Sequence, residues 1–317
     1  MNKKMIRYGL TALLGLAVLP GLYSAAAGSL GLRLGLDTYG PDRVTYEVES
    51  DTVRENVYII SAEYDENGKM LEALIEPGVT LDGVHRGTQL FGQTGDSFGV
   101  SLIDGNTCAP ISPVGKPRQC EIRDWNGALL SSQTVLPGHT PAMPVPPDRP
   151  GYIFSGWGSN DLRVWDDAQF KAEYIPAATP NVFQILPAAG KPGQEVTVTL
   201  KLTGKVDLCG FDMRLEYDGD DLEYVSKNDR CGLFIVANHV PNKHSILFNY
   251  IMPSKPNYAN LKKESTIMTV TFRIREGADP STMLKLVPVT VAHADENNIE
   301  NTVPTDFAVT QGVILTK

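Results

Sequence analysis

The chain has 317 residues, with 28 Lys and Arg against 37 Asp and Glu and a formal net charge of −9 at pH 7. A hydrophobic content of 42% is that of ordinary globular protein, which excludes general disorder and allows two or three domains with real cores. No cluster of Lys and Arg occurs beyond the first few residues, so the basic footprint that nucleic-acid phosphates need is missing and no nucleic acid is expected as partner.

At the N-terminus, Lys3, Lys4 and Arg7 form a basic region, Gly9 to Leu19 an apolar one, Pro20 a break, and Ser24 to Ala27 a zone of small residues. This order predicts a secretory signal peptide over residues 1–27. The alternative is an uncleaved anchor, because apolar residues continue to Leu36; a membrane enters only on that reading. No Cys follows the apolar region, and the chain closes on "GVILTK" without an apolar tail or sorting pattern. A secreted, extracellular or cell-surface-associated protein is expected. In an exported chain the four cysteines are disulfide candidates, most simply Cys108 with Cys120 and Cys209 with Cys231, with free or buried thiols as the alternative. No CxxC is present to suggest zinc.

Strand-like runs recur along the chain, among them "RVTYEVES", "NVYIISAEYD", "EVTVTLKL", "SILFNYIM" and "STIMTVTFRIR", and no segment keeps a helical period over three turns. The fold class read from this is all-β and multidomain. Pro-rich stretches at "CAPISPVGKPRQC" and "YIPAATPNV" mark boundaries and divide the chain into residues 37–113, 114–176 and 181–317.

In the first unit, Asp65, Glu66, Asn67 and Gly68 make a hairpin turn between alternating flanks. The run "YDENGKM" resembles the small β-sandwich modules of clostridial surface proteins, which implies a spacer or scaffold. The second unit resembles the Listeria-Bacteroides repeat, known as the B-repeat of internalins. The residues carrying that likeness are Gly127, Leu130, Gln133, Val135, Gly138, Pro144, Gly151, Tyr152, Phe154, Gly156, Trp157, Val164, Ala172 and Tyr174. It implies a β-grasp-like spacer. All three tryptophans, Trp125, Trp157 and Trp165, fall in this unit, and each could stack on a sugar or fill the core.

The third unit holds "GFDMRLEYDGDDLEYV", in which Phe211, Met213, Leu215 and Tyr217 alternate with Asp212, Arg214 and Glu216, as in a strand with one buried face and one exposed face. With Pro192, Gly193, Val196, Val198, Leu200, Asp218, Leu222 and Val225 around it, and Met268, Val270, Phe272, Ile274, Gly312, Val313 and Leu315 later, the unit resembles the cohesin domain of cellulosomal scaffoldins. Ser265, where a Gly is usual, and the Cys209/Cys231 couple depart from the pattern. The resemblance implies a nine-stranded jelly-roll β-sandwich. Its partner would be a dockerin-containing protein, with Ca²⁺ supplied by the EF-hand-like loops of the dockerin rather than by this chain. It also implies a contact face of four neighbouring strands, which would carry Gly210, Asp212, Arg214, Asn238, Val240, Leu247, Asn249, Ile251, Thr269, Thr271 and Arg273, with Asp212 as the best match.

Chemistry is not indicated. His85, His139, His239, His244 and His293 show no metal or triad spacing, and His239 and His244 read as exposed residues flanking a "PNK" turn. No enzyme, no cofactor and no bound metal are expected. The function read from the chain is a non-catalytic exported scaffold or adaptor for cellulosome-type polysaccharide degradation; the alternative is a carbohydrate-binding surface adhesin, with polysaccharide as partner.

Overall fold

The structure, a computed structural model, describes residues 31–317 except 41, 93, 204–207, 230–234, 252–263, 295–301 and 305–306. The expected signal peptide and Cys231 lie outside the described residues. What is described is strand and turn, with a 3-10 turn at Pro241–Lys243 and no α-helix, so the all-β class stands. No described helix is long and apolar enough to cross a membrane. The chain divides into two compact units, and residues of the middle segment are distributed between them.

The first unit takes in residues up to Gln119, with Thr134–His139 and Arg163–Ala168. It is built on β1 (Leu32–Gly40), β2 (Arg43–Tyr64), β3 (Met70–Leu90) and β4 (Ser97–Asp104). β2 pairs with β3 along its length, with β1 on its first half and with β4 on its second. Register shifts between Ser50 and Ile59 interrupt the ribbon, as bulges do where a long strand must bend. Apolar residues from both halves, including Leu36, Val48, Ile59, Leu81, Val100 and Leu102, then share one core.

The expected hairpin joins β2 to β3. The Asp65 carboxylate accepts the amides of Asn67 and Lys69, and Gly68, at φ 75°, donates its amide to the Asp65 carbonyl. A side chain at Gly68 would occupy a left-handed conformation, which is why this corner takes glycine.

Glu63, on β2, is fully buried, with Gly95 packed closely against its side chain. Burial pushes its carboxyl above the usual range; the Gly95 amide partly opposes this and Glu72 adds to it. The folded chain therefore holds the proton more tightly than the unfolded chain, and stability falls as pH rises through the window between the ordinary and the raised value. Glu63→Gln removes the charge without changing shape. It should raise stability at neutral pH by about 1 kcal/mol and flatten the dependence on pH above the ordinary carboxylate range, as read from thermal unfolding between pH 4 and 8.

The middle segment contributes β5 (Arg118–Arg123), β6 (Leu129–Val135), β7 (Tyr152–Gly156), β8 (Ala168–Lys171) and β9 (Glu173–Pro176). They form two small sheets, one in the order β6-β5-β8 and one of β7 and β9. Several positions that carry the repeat resemblance are buried, among them Val135, Trp157, Val164 and Ala172. The cysteines expected to pair here do not. Cys108 is free and exposed at a left-handed turn position after β4, and Cys120 is free and buried on β5, where burial pushes its thiol up to about 11.

The second unit contains the sandwich. Its strands are β10 (Val182–Ile185), β11 (Ala188–Gly190), β12 (Glu195–Thr203), β13 (Leu208–Glu216), β14 (Leu222–Asp229), β15 (Ile235–Val240), β16 (Ser245–Ile251), β17 (Glu264–Ile274), β18 (Ser281–Ala294), β19 (Thr302–Pro304), β20 (Ala308–Val309) and β21 (Gly312–Thr316). One sheet runs β14-β17-β12-β10-β20, and the other runs β11-β21-β18-β13-β16-β15 with β19 beside β18. β10 and β11 are two halves of one run that changes sheet at Leu186-Pro187, and β20 and β21 change sheet alongside them at Thr310-Gln311. With each pair counted once and the three-residue β19 set aside, the described residues give the expected nine strands.

Turn chemistry holds the two sheets in place. Lys191-Pro192-Gly193-Gln194 closes with the Gln194 amide donating to the Lys191 carbonyl at 3.0 Å and Gly193 at φ 79°, as a turn with Pro second and Gly third requires. Asp221 accepts the Asp279 amide at 2.9 Å and the Thr282 hydroxyl at 2.8 Å, which ties the start of β14 to the start of β18. Between the sheets lies one apolar core containing Phe183, Val198, Phe211, Met213, Leu215, Phe248, Val270, Phe272, Leu284 and Ile314.

Candidate protein-recognition face

β13 behaves as its alternation demands. Phe211, Met213, Leu215 and Tyr217 are buried, while Asp212 is exposed and Arg214 and Glu216 are half-exposed, joined by an Nε–Oε1 ion pair of 2.7 Å. The strand lies in the interior of its sheet, with β16 on one side and β18 on the other.

The antiparallel register assembles the outer face in rows. Arg214 stands opposite Leu247 of β16 and Val287 of β18, and Leu247 stands opposite Asn238 of β15. Asp212 stands opposite Asn249, Gly210 opposite Ile251, and Val240 opposite Ser245. Eight of the eleven residues expected on the contact face therefore share one sheet. For Ile251 this is a backbone placement only.

Thr269, Thr271 and Arg273 do not join them. They lie on β17, in the other sheet, where Thr271 hydrogen-bonds Thr197 at 3.0 Å and the Arg273 guanidinium bridges Glu195 at 2.8 Å and Glu223 at 3.2 Å. The fourth strand of the face is β18, next to β13, which brings Lys285 and Val287 onto it. A register shift between Asp212 and Met213 leaves Val289 of β18 without a partner, and it is 62% exposed. Sequence reasoning missed these residues. The available signal was the apolar Val287 and Val289 at positions alternate to the buried Leu284 and Leu286.

Leu247 is 39% exposed at the centre of the face. The surface is thus an extended sheet with uncovered apolar side chains ringed by Asp212, Arg214, Asn238 and Asn249, the composition of a recognition surface with an apolar centre and polar surround.

His239 is not the loop residue the sequence suggested. It lies on β15 and turns inward, with Nε2 at 2.8 Å from the Tyr217 hydroxyl and its ring stacked on Tyr224 at 4.0 Å between centroids. Burial, with a smaller contribution from His244, holds its pKa below the usual histidine range. His244 is exposed and ends the 3-10 turn in a left-handed conformation. Cys209 lies on β13; its expected partner is outside the described residues.

Among the described residues no group of three or more His, Cys, Asp and Glu could hold a metal ion. An apolar cavity of about 210 Å³ lies in this unit, lined by Met143, Pro146, Trp157, Ile185, Leu186 and Val313, among others. Polar groups at its wall are already engaged: Gln311 donates to the Ser159 carbonyl, and Thr310 accepts the Ile185 amide.

The fold and its exposed sheet define a two-layer β-sandwich with a face suited to protein contact. The family model of the Cohesin domain matches residues 182–310, which run from β10 to β20 and stop short of the last strand of this sandwich. Three solved structures illustrate the likeness. The seventh ScaB type I cohesin of Pseudobacteroides cellulosolvens is 15% identical, with 44% of this chain and 92% of that one covered and a TM-score of 0.38. The Coh-OlpA-Doc918 type I cohesin–dockerin complex of Clostridium thermocellum is 16% identical, with coverage of 44% and 99% and a TM-score of 0.38. A non-cellulosomal cohesin of the archaeon Archaeoglobus fulgidus is 14% identical, with coverage of 44% and 91% and a TM-score of 0.35. No curated protein matches the chain.

Proposed function

We propose that this protein is an exported, non-catalytic scaffold or adaptor that captures a dockerin-containing protein on the outer face of β18, β13, β16 and β15. The reading is carried by one conjunction: the cohesin match covers the sandwich from β10 to β20, and that sandwich leaves Leu247 and Val289 uncovered on a hydrogen-bonded sheet. A rigid sheet loses little conformational freedom on binding, and a face of four strands can offer the ~800 Å² per partner of a standard specific interface. One such module permits one dockerin. The middle segment is read as a spacer of the Listeria-Bacteroides repeat type. Export rests on the basic, apolar and small-residue order of residues 1–27. A role in cellulosome-type polysaccharide degradation follows if the captured protein is a carbohydrate-active enzyme or a scaffoldin.

Calorimetric titration of the full chain with the dockerin-bearing proteins encoded in the same genome tests this, first with Ca²⁺ and then with excess EDTA. Tight binding that disappears with EDTA is expected, since the metal belongs to the partner. Silence across the set would sink the proposal. Arg273→Ala serves as the internal control: it lies on the opposite sheet, so dockerin affinity should stay within about twofold, and losing its solvent-exposed ion pairs should leave the thermal midpoint of the fold nearly unchanged.

A further inference from the structure

We propose a second binding site, for neutral pyranoside polysaccharide, on the aromatic patch of the middle segment formed by Trp125, Arg149 and Tyr152. Of the three tryptophans that the sequence left open, Trp157 is 2% exposed and belongs to the core. Trp165 is half-buried under Arg33, whose guanidinium lies 5.6 Å from its ring. Trp125 is different. It sits at the tip of the β5–β6 hairpin, in a turn closed by the Gly127 amide on the Asp124 carbonyl, and is 40% exposed. Tyr152, at the start of β7, is also 40% exposed.

Arg149 gathers these rings. Its guanidinium carbon lies 3.6 Å from the Tyr152 centroid, 4.3 Å from that of Trp125 and 5.8 Å from that of Tyr174. Tyr174 is fixed in turn by a 2.5 Å hydrogen bond from its hydroxyl to the Pro147 carbonyl. Among the described residues no carboxylate lies within ion-pair distance of Arg149. The ring faces hold a planar set of donors in one orientation, and among the described residues no side chain accepts from them, an arrangement that serves a ligand bringing its own acceptors.

The chemistry of that ligand follows from the groups present. Arg149 covers one face of each ring, and the part of Trp125 and Tyr152 that stays exposed calls for an apolar surface, which the C–H face of a pyranose supplies. Arg149 only donates hydrogen bonds and the exposed Asp148 beside it only accepts them, so the ligand must do both. Sugar hydroxyls do both; a proline-rich peptide, with few amide hydrogens, would leave Asp148 unmatched. Asp148 and the net charge of −9 also oppose a polyanion, so a neutral chain is favoured over a uronic-acid polymer.

The test is affinity electrophoresis of the full chain through gels containing a soluble β-glucan, a xylan, a galactomannan or polygalacturonate, with a proline-rich peptide titrated separately. Trp125→Ala, Arg149→Ala and Arg149→Lys are run beside the parent, and thermal midpoints establish that each is folded. Retardation in at least one neutral gel is expected, weakened about tenfold by Trp125→Ala and also by Arg149→Lys, which keeps the charge but loses the planar donors. The proposal is overturned if no neutral polysaccharide retards the parent, if only polygalacturonate or the peptide binds, or if folded Trp125→Ala and Arg149→Lys variants migrate as the parent does.

Discussion

Leu247→Asp will weaken dockerin capture at least about a hundredfold and leave the sandwich folded. The side chain stands outward on β16, in register with Arg214 and Asn238, and is 39% exposed in the unbound chain. Its removal opens no void between the sheets. On the proposed face, however, the same position would become the dry centre of the contact, where a carboxylate must shed its water without a built partner, at a cost of about 2–5 kcal/mol. Asp212→Ala, one row away, should cost about tenfold, the loss of a hydrogen bond to a charged acceptor. Calorimetry with any dockerin that binds the parent reads both. Unchanged affinity in Leu247→Asp would place the contact elsewhere on the module.

Phe211→Ala, one residue before Asp212, should do the opposite: destabilise the second unit by about 3–5 kcal/mol while removing nothing from the outer face. The Phe211 ring is buried between the sheets, with centroids of Phe183 at 5.3 Å, Tyr250 at 5.4 Å and Phe248 at 6.1 Å, and it is in edge or tilted contact with all three. Because those neighbours come from two other strands, β10 in one sheet and β16 in the other, the cavity cannot collapse by shifting one element. Thermal scans of the full chain should show the transition of this unit moved down and that of the first unit unmoved, since the first unit has its own core. A shift of less than about 1 kcal/mol would mean that the aromatic cluster is not what holds the sheets together.

The contrast between these neighbouring residues marks how far the sequence carried. Strand alternation separated Phe211 from Asp212, and the Asp65–Gly68 turn was legible because its side-chain hydrogen bonds and its left-handed glycine act within a few residues. Alternation assigns a side chain to one face or the other of its own strand. It carries no information on which sheet the strand enters, because in a sandwich both sheets alternate in the same way. Thr271 of β17 and Asn249 of β16 are equivalent by period, yet they ended in different sheets of the sandwich. The cysteines failed for a related reason: nearness of Cys108 and Cys120 along the chain says nothing of their directions, and one turns to solvent while the other is buried.

By itself the sequence determined the all-β class, the parity of each strand, the corners that require Gly, Pro or Asp, and the cohesin-like order of the last unit. The first three are set by steric and hydrophobic rules acting over two to ten residues, and the last is a resemblance carried by the order of such local elements along the unit. Only the tertiary structure decided that β18 rather than β17 joins β13, β16 and β15 in one sheet, that His239 turns inward, and that Trp125 alone of the tryptophans meets Arg149 and Tyr152. Those outcomes depend on pairings between segments tens of residues apart, and the energy that selects them comes from burying both sheets against one shared core, which no local window contains.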